Sequence, residues 1–179
     1  MGILKRMLPV LGILLCLYPI VNRIITRSKN EEIVRGYRQN LTVDETMGIL
    51  EIPKIDVLLP IYQGTTEAVL KKGIGHLEGS SALGGGRSTH CLLAGHRGLP
   101  DAELFTRLGE VEEGDLFYIE VNSQRYTYKV CEIQVVRPEE TEGLGIQENR
   151  DLVSLITCTP YGINTHRLIV TGERMEEKK

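Results

Sequence analysis

Two side chains of this 179-residue chain have the types and positions needed for acyl-transfer chemistry. Cys158 closes the apolar run 152–157 and precedes Thr-Pro-Tyr-Gly, so it lies where a strand ends and a loop begins. His96 follows the apolar run 91–95 in the same way. A free thiol, with a pKa of about 8.5, is only a few per cent thiolate near neutral pH and needs a base or cation beside it. An imidazole meets that need and can later protonate a leaving amine.

A third candidate, Arg167, follows Cys158 by nine residues, so a hairpin return would bring it beside the thiol. Its guanidinium stays charged and can stabilise an oxyanion or hold a substrate. Successive side chains of a strand face opposite sides, so at most one of His166 and Arg167 faces a site.

These residues also have structural interpretations. A strand cysteine is commonly a small buried core residue, and a lone histidine is commonly a hydrogen-bonded structural one. A zinc cluster is the competing functional hypothesis, although its ligands would include no Cys-x-x-Cys or His-x₃-His pair. Those ligands would be His90, Cys91, His96, Cys158 and His166. The sequence has no P-loop, HExxH or GxSxG motif.

The composition, 41% hydrophobic and 25% charged, is that of a globular chain and excludes disorder. Residues 1–29 carry five basic side chains and no acidic one, which leaves 16 basic against 24 acidic groups, a formal charge of −8, for the remainder. An acidic domain is a poor partner for nucleic acid, because phosphate contacts need a basic face. Two Phe and no Trp also disfavour base stacking.

Short strands separated by turns predict a single β-barrel or sandwich over residues 47–174. The predicted strands are 48–53, 57–62, 91–95, 116–121, 124–136, 152–158 and 165–171. Asn122 and Ser123 predict a hairpin, and the apolar parity of the strand 124–136 changes near Cys131, which predicts a β-bulge or a sharp bend there. Short helices are predicted at 31–38, 66–73 and 100–108.

The uncharged run 7–21 predicts a membrane anchor helix. At about 1.5 Å per residue it reaches about 22 Å of a hydrocarbon core of about 30 Å, and extension to Ile25, with Arg23 snorkelling, reaches about 28 Å. A cleaved signal peptide is the alternative, although no small-x-small site follows. Both place the acidic domain outside the cytosol. We expect an anchor and basic flank at 1–29, a linker at 30–46, the main domain at 47–174 and a polar tail at 175–179.

Export permits disulfides, and three cysteines lie beyond the anchor: Cys91, Cys131 and Cys158. An odd number leaves at least one free thiol or an intermolecular bridge. The non-enzymatic alternative is therefore an anchored binding module whose cysteines are structural, with Cys91 and Cys131 as its candidate pair.

Taken together, these segments resemble the sortases, membrane-anchored cysteine transpeptidases of Gram-positive cell surfaces. The run Ser-Leu-Ile-Thr-Cys at 154–158 resembles their TLxTC motif, with Ser in place of the first Thr. The similarity extends over about 47–174 and is closest to class C, the pilin-linking group. The other segments that carry it are GSS at 79–81, STH at 88–90, AGHRGLP at 94–100, LF at 104–105, GDLFY at 114–118 and CTPYGINTHRL at 158–168.

The resemblance implies a mainly β fold, an eight-stranded sortase-type barrel, with Cys158 as nucleophile, His96 as general acid and base, and Arg167 as oxyanion or substrate stabiliser. It implies that the thiolate attacks the Thr-Gly bond of an LPxTG-like sorting signal on a pilin or surface protein. A lysine amine of a neighbouring pilin would then resolve the thioacyl enzyme. No cofactor or metal is implied, because one acyl bond is exchanged for another. The loop 138–150 would shape the substrate site.

Two features depart from class C. Typical members hold an N-terminal lid over the cysteine through an Asp-Pro-aromatic motif, whereas residues 26–52 contain no proline, so we predict no such lid. Many have a second, C-terminal membrane segment, which the charged run 173–179 cannot form. The acceptor therefore stays open between a pilin lysine and a peptidoglycan-type amine for wall anchoring, and a hydrolytic cysteine peptidase is a further alternative. The expected location is the cell membrane, single-pass, with the catalytic domain on the extracellular face.

Overall fold

Eight strands close into one barrel in the computed structural model, which describes residues 17, 18, 21, 24–39, 45–98 and 103–176. They are β1 (Thr46–Ile52), β2 (Val57–Gln63), β3 (Ile74–His76), β4 (Thr89–Ala94), β5 (Leu116–Val121), β6 (Gln124–Val136), β7 (Asp151–Thr159) and β8 (His166–Arg174). Their order around the barrel is β1-β2-β3-β4-β7-β8-β6-β5. The pairs β2–β3 and β4–β7 are parallel and the other pairs antiparallel. The mainly β, eight-stranded prediction is confirmed.

The barrel interior is filled by alternate apolar side chains of the strands. Phe117 and Tyr128, on the paired strands β5 and β6, stack with ring centroids 5.4 Å apart. The register of β6 against β8 shifts between Val130 and Glu132, so the predicted bulge at Cys131 is confirmed. Because of this shift, Tyr128 and Val130 lie in the core while Ile133, of the opposite parity, still packs against it.

Local signals predicted two further elements correctly. Asn122 and Ser123 both have positive φ, +51° and +61°, as the two-residue turn between β5 and β6 requires. The helix Glu67–Lys72 has Thr66 as its N-cap, whose hydroxyl accepts a hydrogen bond from the Val69 amide at 3.4 Å. We call this helix α2, because a longer helix precedes it in the chain.

That longer helix, α1, covers residues 24–38, so the helix predicted at 31–38 exists but starts earlier. It packs on the barrel, with Val34 only 2% exposed. The Tyr37 hydroxyl donates to the Met47 carbonyl at 3.1 Å and accepts from the Asn122 amide at 3.2 Å. Arg38 pairs with Glu120 of β5. The first part of the expected linker is thus a docked helix.

The helix predicted at 100–108 is wrong over its described part. Residues 104–107 form turns, and a 3₁₀ helix follows at Leu108–Glu110. Leu104 has a φ of +31°, outside the helical region, while Phe105 is fully buried and its amide donates to the His96 carbonyl. Tertiary packing of Phe105 therefore overrides the helical periodicity. Residues 99–102 lie outside the described part of the chain.

Most of the predicted anchor, including residues 7–16, also lies outside the described residues. Among the residues that are described, no helix has the length and apolar character needed to cross a membrane.

Candidate active site

The neighbouring strands β7 and β8 and the segment directly after β4 carry the predicted site residues on the outer face of the barrel. Val153 and Leu155 of β7 belong to the core, so by strand alternation Cys158 lies on the outer face. Cys158 and Arg167 are direct partners in the antiparallel pairing of β7 with β8, which sets their Cβ atoms about 4.5–5.5 Å apart. The predicted return of Arg167 to the cysteine is confirmed.

The half-buried Arg167 guanidinium braces the loop that follows the cysteine. Its Nη1 donates to the carbonyl oxygens of Asn164 at 3.2 Å and of His166 at 3.0 Å. His166 has the parity of the core residues Leu168 and Val170, so of the two adjacent side chains Arg167 is the one on the cysteine's face.

His96 is brought to Cys158 by the parallel pairing of β4 with β7. Ala94 pairs with Ile156, and the Gly95 amide donates to the Ile156 carbonyl at 3.0 Å. Continued by two residues, this register brings His96 level with Cys158 on the same face. A Cβ on Gly95 would lie 2.7 Å from Ile74 Cδ1 and 2.8 Å from Phe105 Cδ2, so only glycine permits this close passage.

The His96 imidazole also meets a carboxylate from α2. Its Nε2 lies 3.5 Å from Glu67 Oε2, with the Glu67 side chain 64% exposed and the His96 side chain 26% exposed. Nε2 itself is buried and makes no hydrogen bond to this carboxylate or to any other described group. Sequence reasoning missed Glu67, since its only signal was an acidic residue in the first turn of a helix.

A second arginine, also missed, ties the two halves of the site together. Arg97 Nη1 donates to the Thr159 hydroxyl and, at 3.4 Å, to the Cys158 carbonyl. The Thr157 hydroxyl donates to the Gly95 carbonyl at 2.8 Å from the buried side of β7. These bonds hold the backbone on both sides of His96 against the backbone around Cys158. Arg97 had a signal, since it lies in the segment 94–100 that carried the resemblance.

The motif at 79–81 supports β4 from its other edge. The Ser81 amide donates to the His90 carbonyl at 3.0 Å and its hydroxyl accepts from the His90 amide at 2.9 Å. The Ser80 hydroxyl accepts from the Leu92 amide at 3.2 Å. Serine hydroxyls thereby satisfy β4 amides where β3 has already ended.

The three described cysteines are free, so the candidate pair of Cys91 and Cys131 does not form. Cys91 points into the core from β4, where burial raises the pKa of its thiol to about 12. Cys131 is exposed at the bulge of β6. Within the described ranges no group of three or more His, Cys, Asp or Glu could hold a metal ion, so the zinc hypothesis has no cluster to rest on.

The chain is similar to known proteins in both sequence and fold. The family model described as the sortase domain matches residues 50–175. Sortase D of Bacillus subtilis (strain 168) is 33% identical over 134 residues, which are 73% of this chain and 65% of that protein. The chain thus spans slightly less than two thirds of the length of the curated relatives it matches first.

Solved structures give higher identities. Sortase C1 of Streptococcus agalactiae is 47% identical, with a TM-score of 0.74, over 75% of this chain and 70% of that one. A structure of Streptococcus pneumoniae sortase C, described as informative on catalysis and pilin substrate specificity, is also 47% identical, with a TM-score of 0.74, over 79% and 72%. With the family model matching most of the chain and the barrel carrying a cysteine, a histidine and an arginine on one sheet face, this protein belongs to the sortase family.

Proposed function

We propose that this chain is a cysteine transpeptidase in which Cys158, His96 and Arg167 act together. The observation that carries the proposal is the convergence of three adjacent strands: Arg167 directly opposite Cys158, and His96 level with it on the same face. Acyl transfer through a covalent intermediate requires a nucleophile, a group that accepts and donates its proton, and a positive charge for the oxyanion. Here these three groups lie side by side on one sheet face.

In the first half-reaction the Cys158 sulfur, with its proton passed to His96, attacks the carbonyl carbon of the scissile peptide bond. The oxygen of the tetrahedral intermediate becomes negatively charged, and the Arg167 guanidinium stabilises it. Collapse of the intermediate breaks the C–N bond, and His96 donates its proton to the departing amine. The product is a thioester between the Cys158 sulfur and the new carboxyl end of the substrate.

In the second half-reaction an acceptor amine attacks the thioester carbonyl and gives a proton to His96. The second tetrahedral intermediate collapses with the sulfur as leaving group, so Cys158 is regenerated and one amide bond has replaced another. Arg97, bonded to the Cys158 carbonyl and to Thr159, would keep the backbone of the nucleophile fixed through both steps.

For the substrates, we infer an LPxTG-like sorting signal as donor and a pilin lysine as acceptor. The support is the 47% identity to sortase C structures, one of which is described in terms of pilin substrate specificity. The uncharged run 7–21 supports a membrane-anchored enzyme, and export of the chain would place its acidic domain outside the cytosol.

The test is the intact mass of the full chain, in detergent, after incubation with an LPxTG-type peptide. Wild type should gain the acyl fragment and lose it as an amine-linked product when a pilin lysine peptide is added, whereas Cys158→Ala should gain nothing. Release by a peptidoglycan-type amine instead would indicate wall anchoring, and release by water alone would indicate a peptidase. A wild-type enzyme without adduct, whose Cys158 also resists iodoacetamide, would exclude the cysteine as nucleophile.

A further inference from the structure

A chain of buried polar groups lies on the sheet face that carries Cys158. His90 of β4 is 2% exposed, and its Nε2 is 2.8 Å from the hydroxyl of Ser154 on β7. That hydroxyl is 2.7 Å from the hydroxyl of Thr171 on β8. Ser154 and Thr171 are direct partners in the β7–β8 pairing and are also buried. The reaction proposed above uses none of these groups.

At the outer end of this row of hydrogen-bonded side chains, His90 contacts the connection between β6 and β7, residues 137–150. His90 Nδ1 lies 3.0 Å from the Gly145 carbonyl oxygen. A carbonyl can only accept, so Nδ1 is the donor in this bond, and in the neutral imidazole Nε2 is then the acceptor for the Ser154 hydroxyl. The adjacent residues make matching bonds, since the Asn149 amide donates to the Ser88 hydroxyl at 2.9 Å and the Thr89 amide to the Arg150 carbonyl at 3.1 Å.

Each residue of the Ser-Thr-His motif at 88–90 thus makes one hydrogen bond to the segment 145–150. The His90 bond differs from the other two. It contacts Gly145, the residue of the segment furthest in sequence from β7. The other ring nitrogen of the same imidazole bonds to the buried hydroxyl of Ser154 on β7.

The tethered segment is held on the same sheet face as the reaction centre. Ser154 precedes Cys158 by four residues on the same face of β7, a distance of about 13 Å at about 3.3 Å per residue. Between them the face is formed by Ile156 and its β8 partner Ile169. A peptide bound with its scissile carbonyl at Cys158 and extending along this face would meet the segment that carries Gly145.

We propose that His90 is a positioning residue for substrate binding, which acts through the Gly145 carbonyl to fix the 137–150 segment as one wall of the peptide groove. The inference rests on the proposed function, because it assigns the groove to the sorting peptide. His90 touches neither the thiol nor the reacting atoms. Its loss should weaken peptide binding and leave the chemistry of the thiol unchanged.

Two substitutions at His90 separate the hydrogen bond to the Gly145 carbonyl from the hydrogen bond to the Ser154 hydroxyl. In His90→Asn the side-chain amide nitrogen can take the place of Nδ1 and still donate to Gly145. In His90→Gln the terminal amide takes the place of Nε2, so the Ser154 contact is kept while the Gly145 bond is lost. Ile119→Val, in the core on β5, serves as a control for general loss of stability.

The first readout is steady-state transpeptidation by the full chain with an LPxTG-type peptide and a lysine acceptor. We expect His90→Gln to raise the KM for the peptide about fivefold or more, as the loss of a buried hydrogen bond would. The kcat and the rate at which iodoacetamide alkylates Cys158 should stay within about twofold of wild type. His90→Asn should restore most of the KM, and Ile119→Val should not change it.

The second readout needs no substrate. The 137–150 segment contains the exposed residues Glu139, Glu140, Glu142 and Glu148, so a glutamate-specific protease reports its attachment directly. Cleavage within the segment should accelerate in His90→Gln and remain slow in His90→Asn. If His90→Gln does not fold, Ser88→Gly, which removes the hydroxyl bonded to Asn149 at a position with φ of +58°, should accelerate the same cleavage.

Unchanged cleavage and unchanged KM in His90→Gln would overturn the inference, as would an equal rise in KM for Ile119→Val. A different set of results would be observed if the proposed transpeptidase function itself were wrong. Wild type would then form no amine-linked product, while the protease readout would still report whether His90 holds the segment.

Discussion

Cys158 and Arg167 are directly opposed on β7 and β8, and the guanidinium of Arg167 is held by two carbonyl oxygens, that of Asn164 in the loop that joins these strands and that of His166 at the start of β8. The cation beside the nucleophile is therefore held in part by the loop that begins at Pro160, directly after the strand that carries the nucleophile. A displacement of this loop would disturb the position of the Arg167 guanidinium.

Arg167→Lys tests whether this fixed geometry matters beyond charge. Lysine keeps the positive charge but not the planar fork of donors, so it cannot hold the loop carbonyls and face an oxyanion at once. We expect kcat/KM for transpeptidation to fall about 100-fold or more, the typical loss for one oxyanion donor. Arg125→Lys, on β6 and paired with Glu51, should keep near wild-type kinetics. Equal activity of Arg167→Lys and wild type would exclude a role for the guanidinium.

Glu67→Gln tests the carboxylate beside His96. The exchange keeps size and removes charge from a group 3.5 Å from His96 Nε2. Because the Glu67 side chain is 64% exposed, the interaction should be modest, and we expect kcat to fall about two- to fivefold at low salt. At about 1 M salt the screening length is only about 3 Å, so the kcat of Glu67→Gln should approach that of the wild type. Glu110→Gln, which loses an exposed pair with Arg107, provides the control. A salt-independent difference would contradict the electrostatic origin.

Elements with local determinants were predictable from the sequence. The β5–β6 hairpin follows from two turn residues that tolerate positive φ, and the bulge at Cys131 follows from a change of apolar parity within one strand. The hairpin that returns Arg167 to Cys158 is local as well, since nine residues separate them. Each of these signals lies within about a dozen residues of the chain.

Features that depend on distant packing were not predictable. Glu67 and His96 are 29 residues apart and meet only because α2 lies beside the end of β4. Phe105 suppresses a helix because it fills the core next to Gly95, which no local pattern reports. The docking of α1 through Tyr37 similarly needs the β1 and β5 strands in place.

Gly95→Ala tests the close passage that brings His96 to the cysteine. The added Cβ would lie within 3 Å of Ile74 and Phe105, neither of which can move freely in the core. We expect destabilisation of about 1–3 kcal/mol and a large loss of kcat, because the segment that carries His96 must shift. Gly145→Ala, where a Cβ would meet no atom within 4 Å, is the matched exchange and should retain stability. A folded Gly95→Ala enzyme with wild-type kcat would show that the position of His96 does not depend on the close packing of Gly95 against Ile74 and Phe105.

The buried thiol of Cys91 predicts a loss of stability in alkaline solution. Its pKa is raised to about 12 by burial, with a smaller effect from Asp151, whereas the thiol of an unfolded chain has a pKa of about 8.5. Between these values the unfolded state has released the proton and the native state has kept it, so the free energy of unfolding decreases as pH rises. The stabilising contribution is complete below the unfolded-state pKa and declines by up to about 1.4 kcal/mol per pH unit above it. Denaturant unfolding between pH 8 and pH 11 measures this slope.

Cys91→Ala should show a shallower decline over the same range, even if its stability at pH 7 is lower because a small cavity forms. Cys131→Ala, which removes an exposed thiol at the β6 bulge, controls for the number of cysteines and should keep more of the wild-type slope. The pKa of Tyr128 is also raised, chiefly by burial, and its phenol adds to the alkaline decline in all three proteins, so only the difference between slopes is diagnostic. Parallel slopes for wild type and Cys91→Ala would mean that the Cys91 thiol ionises as readily in the native barrel as in the unfolded chain.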